Sequence, residues 1–265
     1  MNRYLSAAEL KDQARGTLLV NLGTVVGAFL VHMACYFPVW LFASFTPSLS
    51  IIQILFCAVS AIVVSIYNAV LTLGENFVVL SASCGMPASV SDVFYAFRNH
   101  LVSKVAMVRI IPEAIITTVW MVVVVYTIKM SEVMPDNDYL MGILQSGDYE
   151  TFNTLAEQLF PYSCRYLGLL AAYLIIKTLV NIIFSQTLFF MLDYPDEDAM
   201  TILSKSISLM RGHWGRYFYM QLSFILWYLL AFATCYISMI WTMPYMRVTY
   251  ANFYLDLVKN KGEDR

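Results

Sequence analysis

Charge is scarce in this sequence. Asp, Glu, Lys and Arg make up 13% of its 265 residues, about half the share of an ordinary soluble domain. Hydrophobic residues make up 60%, and the mean hydropathy is +0.66. So little polar surface cannot cover a globule of this size, which excludes an ordinary soluble fold. The charges nearly balance, to a net −2, so no global field recruits nucleic acid. Histidine is rarer still: His32, His100 and His213 stand apart from one another and are read as neither catalytic nor metal-binding. The five cysteines (Cys35, Cys57, Cys84, Cys164, Cys235) have neither metal-ligand spacing nor a C-x-x-C pair. No G-x-S-x-G, Walker loop, H-E-x-x-H or Rossmann fingerprint occurs. The sequence therefore points to a non-enzymatic protein with no cofactor and no metal.

Long apolar runs are what it has in abundance. They exceed the roughly 20 residues that cross a bilayer, and they cover about 17–44, 50–82, 104–130, 162–192 and 214–257. Polar residues through Arg15 precede the first run, which is longer than a signal-peptide core, so this span is expected to be retained. Phe45-Thr46-Pro47-Ser48 supplies a turn between the first two runs. A polar outer loop of about 131–161 separates the third from the fourth. The last run is long enough for one span plus an interfacial helix, giving five spans, or for two short spans with a turn near Thr234 to Ser238, giving six.

Three similar lead-ins support that division. Ser6 and Glu9 form an S-x-x-E capping box ahead of a stripe of Ala7, Leu10, Ala14 and Leu18. Ser91 or Asp92 caps a second stripe of Val93, Phe94, Phe97 and Leu101. Asp196, Glu197 and Asp198 suit a helix N-terminus ahead of Met200, Leu203, Ile207 and Met210. The expected fold is all-α: a single membrane domain of six spans in three hairpin repeats (about 6–90, 91–195 and 196–265), each led by an interfacial amphipathic helix. Arg3, Lys11, Arg15, Arg98, Lys104, Lys205, Arg211, Arg216, Lys259, Lys261 and Arg265 gather on one side. The opposite side has only Lys129 and Arg165 at span ends, with an acidic loop from Glu132 to Glu157 that reads as solvated surface. The basic side, with both termini, is therefore read as cytoplasmic.

Ionisable groups inside a bilayer need a partner or water. Glu75, Glu113, Lys177 and Arg247 are such groups, and Lys177 has the reach to pair with Glu113. With Asn68, Asn181 and Gln186 they would line a polar pathway, or else form neutralised pairs that fix helix packing. Pro112 and Pro244 interrupt the helical ladder beside Glu113 and Tyr245. Trp40, Tyr162, Tyr166, Trp214, Tyr217 and Trp241 suit interfacial aromatic belts.

The third unit carries a denser pattern. It reads Ser206-x-x-x-Met210-x-Gly212, then Phe218, then Leu222-Ser223-Phe224-Ile225-x-Trp227, and closes on Pro244-Tyr245-x-x-x-Thr249-x-Ala251-x-Phe253-Tyr254-x-x-Leu257. With Glu9-Leu10-Lys11-x-x-Ala14-Arg15-x-x-Leu18-x-x-Asn21 at the start, it resembles an uncharacterised bacterial integral membrane family, domain of unknown function 975. The resemblance is specific at both ends and weak from about residue 25 to 190. Leu226 stands where that family usually has Gly, and Tyr236 and Ser238 replace a Gly-x-Gly turn. The resemblance implies a bacterial six-span membrane protein and no reaction.

Two functions fit these features. One is an accessory, regulatory or immunity-type component of the plasma membrane, binding lipid or another membrane protein, with Gly168, Ala171 and Ala172 as a small-residue contact face. The other is a small-solute or ion transporter using Glu75, Glu113 and Lys177.

Overall fold

The computed structural model describes residues 4–44 and 51–263; the turn expected at Phe45 to Ser48 lies outside them. Every described element is helical: α1 (Ala7–Ser44), α2 (Ile51–Ser83), a 3₁₀ turn (Val90–Phe94), α3 (Tyr95–Arg98), α4 (Val102–Val133), α5 (Asn137–Ser146), α6 (Tyr149–Ile183), α7 (Thr187–Asp193), α8 (Ala199–Met210), α9 (Trp214–Leu222), α10 (Ile225–Ala233) and α11 (Met239–Glu263). Four stretches are long and apolar enough to cross a membrane: Ala7–Leu41, Ala58–Ser83, Val102–Ser131 and Tyr149–Asp193. Their outer faces are apolar, as at Leu19, Val20, Val59, Val63, Met107, Leu167 and Ile175.

The first lead-in forms as its spacing predicts. The Ser6 N–H donates to Glu9 Oε2 at 2.7 Å, and the Glu9 N–H donates to Ser6 Oγ at 3.3 Å. This reciprocal cap satisfies donors that a helix start leaves open. The helix then runs straight into the first span, bending at Asn21, whose φ of −116° and ψ of 21° leave the helical region. Its stripe does not lie on a membrane surface. Leu10, Ala14 and Leu18 are buried in a core shared with Met246, Phe253, Tyr254 and Leu257 of α11.

Polar ties fix this contact. The Leu5 N–H donates to Asp256 Oδ1 at 3.3 Å, while Arg216 donates to Leu5 O at 2.5 and 3.1 Å and pairs with Asp256. The Arg216 guanidinium also stacks 5.2 Å from the Tyr4 ring centroid and 4.9 Å from that of Phe253. Lys11 Nζ donates to Ser223 O at 2.9 Å.

The second lead-in differs from the expected amphipathic helix. Ser89, rather than Ser91 or Asp92, is the N-cap, and Asp92 closes the box from the N3 position. Only a 3₁₀ turn and one α turn follow, ended by Asn99 and by His100 at a φ of 55°. Val93 and Leu101 are buried, but Phe94 and Phe97 face outward. The segment seats itself against α1 and α2 because glycine lets it approach: a Cβ on Gly74 would lie 1.9 Å from Val93 O.

In the third lead-in Asp198 caps α8, accepting from the Met200 N–H at 3.2 Å. The buried stripe is Ile202, Leu203, Ser206, Leu209 and Met210, while Met200 is exposed and Ile207 half-buried. The expected outer loop is helical as well. Gly147 ends α5 with a left-handed φ of 68°, Asp148 caps α6, and Pro161 is absorbed within that helix instead of starting it. The turn at Thr234 to Ser238 is present, with Cys235 at φ 49° and Tyr236 at φ 65°. It folds α9 and α10 back on α11: Phe224 packs on Tyr245 and Tyr217 on Phe253, at 5.7 and 5.3 Å between ring centroids.

Gly74→Ala is expected to destabilise the fold by about 1–3 kcal/mol, since a methyl there meets backbone; thermal unfolding in detergent measures it. Asp92 supplies a pH test. Partial burial pushes its carboxyl up, but hydrogen bonds from Arg98 and the Ser89 N–H, with the Arg98 charge, together hold it below the ordinary value. A carboxyl held low when folded stabilises fully at neutral pH and loses that effect as pH falls through its folded value. Asp92→Asn should therefore lower the neutral-pH midpoint and flatten its loss in acid.

Candidate functional site

The central feature is a polar stripe on α2. Asn68, Thr72, Glu75 and Asn76 recur at helical spacing on one face, and Thr72, Glu75 and Asn76 are buried. α1 presents His32 to this face, itself 1% exposed, with Nδ1 2.6 Å from Glu75 Oε2 and Nε2 3.0 Å from Asn68 Oδ1. α11 adds Arg247, whose Nε lies 3.5 Å from Glu75 Oε1. α4 adds a second ion pair, Arg109 Nη2 to Glu113 Oε1 at 2.6 Å, one helical turn apart.

His32 bridges α1 to α2 through both ring nitrogens, one toward Glu75 Oε2 and the other toward Asn68 Oδ1. The guanidiniums of Arg247 and Arg109 stand against the carboxyls of Glu75 and Glu113.

Beside it lies a cavity of about 310 Å³, lined by Asn68, Ala69, Thr72, Asn76, Arg109, Asn181, Phe184, Ser185, Leu188, Phe189, Tyr217, Gln221, Arg247 and Tyr250. Six helices contribute, α2, α4, α6, α7, α9 and α11, together with the α6–α7 link. Arg109 Nε and Asn76 Oδ1 are buried without a hydrogen-bond partner. Arg109 and Arg247 are lining residues, whereas Glu75 and Glu113 are not.

The model of the family described as "Protein of unknown function (DUF975)" matches residues 1–261. The chain belongs to DUF975. No curated protein and no solved structure matches it. The DUF975 match includes the middle of the chain, where the motif resemblance was weakest, and therefore the α2 and α4 residues of the cavity.

The DUF975 motif residues in the third unit surround the site more than they enter it. Tyr245 is buried against Phe224, and Phe253 and Tyr254 are fully buried. Thr249 Oγ1 donates back to Tyr245 O at 2.9 Å, one turn before it. Tyr254 Oη donates to Asp193 Oδ2 at 2.5 Å, Ser206 and Thr187 hydroxyls meet at 3.0 Å, and Ser223 O receives Lys11. Met210 is buried, Trp227 packs edge-on against Tyr245, and Gly212 takes a φ of 89°. Pro244 lies one turn before Arg247 in α11. These contacts tie α7, α8 and the N-terminal segment to α9 and α11, and so position Arg247.

Among the residues singled out from sequence, Asn68, Asn181 and Arg247 meet at the cavity, while Glu75 and Glu113 lie outside its lining and pair with Arg247 and Arg109. Lys177 does not join them. It is exposed, 5.6 Å from the Tyr173 ring, and Arg109 pairs with Glu113 in its place. Gln186 is buried and donates to Ser185 Oγ at 3.1 Å. Tyr217, expected in an aromatic belt, lines the cavity instead. Two ionisable contributors were missed, as were the neutral polar residues Thr72, Asn76, Ser185 and Gln221 of the lining. Arg109, four residues before Glu113 in an apolar run, had the same claim to notice as Glu75. His32 carried no local signal, since its partners lie 36 and 43 residues away. Among the described residues no cluster of three His, Cys, Asp or Glu side chains is arranged to hold a metal ion.

Removing Glu75 strands His32 and Arg247 in an apolar bundle, which for a buried pair costs about 3–5 kcal/mol. Glu75→Leu is expected to fall at the low end, because Arg247 can turn into the cavity, and Glu75→Gln to be milder because it keeps a hydrogen bond to His32. Unfolding midpoints in detergent that rank wild type above Gln above Leu would agree; equal midpoints would show that the cluster does not hold the bundle together.

Proposed function

We propose that this DUF975 member is a non-enzymatic protein of the bacterial plasma membrane that takes up a small polar solute within its helical bundle, as a transporter does. The cavity carries this reading. A bilayer-embedded protein gains nothing in packing from a polar void, and a void of about 310 Å³ lies in the size range of small-ligand sites. Wall groups come from six helices, so relative motion of those helices would open or close it.

The same reading gives the chain six spans with both termini in the cytoplasm. α9 and α10 cover Trp214–Ala233, about 30 Å of helix and enough to cross. α10 exposes Leu226, Leu229 and Phe232, side chains suited to lipid. The cap at the start of each unit (Ser6, Ser89, Asp198) supports the three-hairpin repeat, and the concentration of Lys and Arg on one side supports the orientation.

A second reading has its own support. Gly168, Ala171 and Ala172 form an exposed small-residue face on α6, of the kind that lets another membrane helix approach, which favours an accessory component bound to a partner protein or to lipid.

The test is solvent access from the membrane. In a background with the native cysteines replaced, Thr72→Cys should react with a water-requiring maleimide in intact membranes, and lipid-facing Val63→Cys should not. An unreactive Thr72→Cys removes the solute reading. A stoichiometric protein retained in native mass spectrometry after gentle extraction would favour the accessory one.

A further inference from the structure

We propose that the solute held in this cavity is an oxyanion, a carboxylate or a phosphate, clamped between Arg109 and Arg247; the assignment rests on reading the cavity as a solute site. The placement of charge comes first. Arg109 and Arg247 both line the cavity, whereas the carboxyls they pair with, Glu113 and Glu75, are not among its lining residues. Two guanidiniums on a cavity wall with no carboxylate beside them draw an anion.

The geometry agrees. Arg109 gives Nη2 to Glu113 and keeps a buried Nε without a partner. Arg247 approaches Glu75 through Nε, so its two terminal nitrogens are not spent on that carboxylate. Guanidinium forks match the paired oxygens of carboxylates and phosphates. No acidic side chain lines the cavity among the described residues, which argues against a cation. The remaining polar wall is amide and hydroxyl. Asn76 Oδ1, buried and unpaired, is placed to accept from a hydroxyl, which a hydrogen phosphate or a hydroxy acid carries.

The anion has two possible sources, a free solute or an anionic lipid headgroup, and one experiment separates them. The full chain, with its five cysteines replaced by alanine and Ser185→Cys introduced in the cavity wall, is placed in phosphatidylcholine nanodiscs. It is labelled with an anionic sulfonatoethyl or a cationic trimethylammonioethyl methanethiosulfonate. The anionic reagent is expected to react at least about tenfold faster. Arg109→Gln with Arg247→Gln should abolish the preference, and Arg109→Lys, which keeps the charge and the Glu113 partner, should retain it even where the double variant fails to fold. Millimolar inorganic phosphate protecting the thiol assigns a soluble oxyanion. Protection only after phosphatidylglycerol is added assigns a headgroup. Equal rates for the two reagents overturn the oxyanion and leave a polar solute site standing, as does protection by neither probe. No labelling by either reagent overturns the solute site itself.

Discussion

A carboxylate buried among apolar helices constrains this bundle more than any other group. Glu75 is 1% exposed, and no such group persists in a low-dielectric interior without compensation. Three elements meet that demand: α1 with His32, α11 with Arg247, and α2 itself with Asn68 behind the imidazole. Because those side chains come from helices far apart in sequence, the need to satisfy one carboxylate sets how α1, α2 and α11 lie against one another. The Arg109–Glu113 pair on α4 is self-contained by comparison. It is made within one helix and leaves α4 able to present its guanidinium to the cavity.

The N-terminal segment belongs to the same arrangement. Arg216 gathers Leu5 O, Asp256 and the rings of Tyr4 and Phe253, which pins the start of α1 to α11. Lys11 adds α9 through Ser223 O. A basic residue near a membrane is usually read through its attraction to lipid phosphates. Here Lys11 and Arg216 are spent on protein carbonyls and rings, and the amphipathic stripe beside them closes a protein core. The DUF975 motif makes sense in that light: Tyr245, Thr249, Phe253 and Tyr254 are the packing surface that holds the first and last helices together.

Much of this was legible in the sequence, and for a simple reason. Apolar run length, capping residues and the bias of basic charge are local properties, and a bilayer forces the backbone into helices wherever such runs occur. Hence the Ser6–Glu9 box, the Asp198 cap, the turn at Thr234 to Ser238 and the four apolar helices follow from the residues alone, as did the family. Glu75, Asn68 and Asn181 were also recognisable, since polar groups inside apolar runs stand out.

Which groups meet was decided only by the tertiary structure. Lys177 has the length to reach a carboxylate, yet α6 turns it outward, and Glu113 takes the partner one turn away. His32 looked isolated because its contacts are made across two helices. The outer segment looked like a loop because polar residues and Pro161 mimic one, although Gly147 and Asp148 are helix stop and start signals. The second lead-in shortened to a 3₁₀ turn because it docks on Gly74, a neighbour that periodicity does not reveal. The sequence by itself determined that the chain is helical and apolar and where its charges stand; only the packing of α1, α2, α4, α9 and α11 decided which charges pair and which face a cavity, because a partner that satisfies a buried charge is chosen by distance in space and not along the chain.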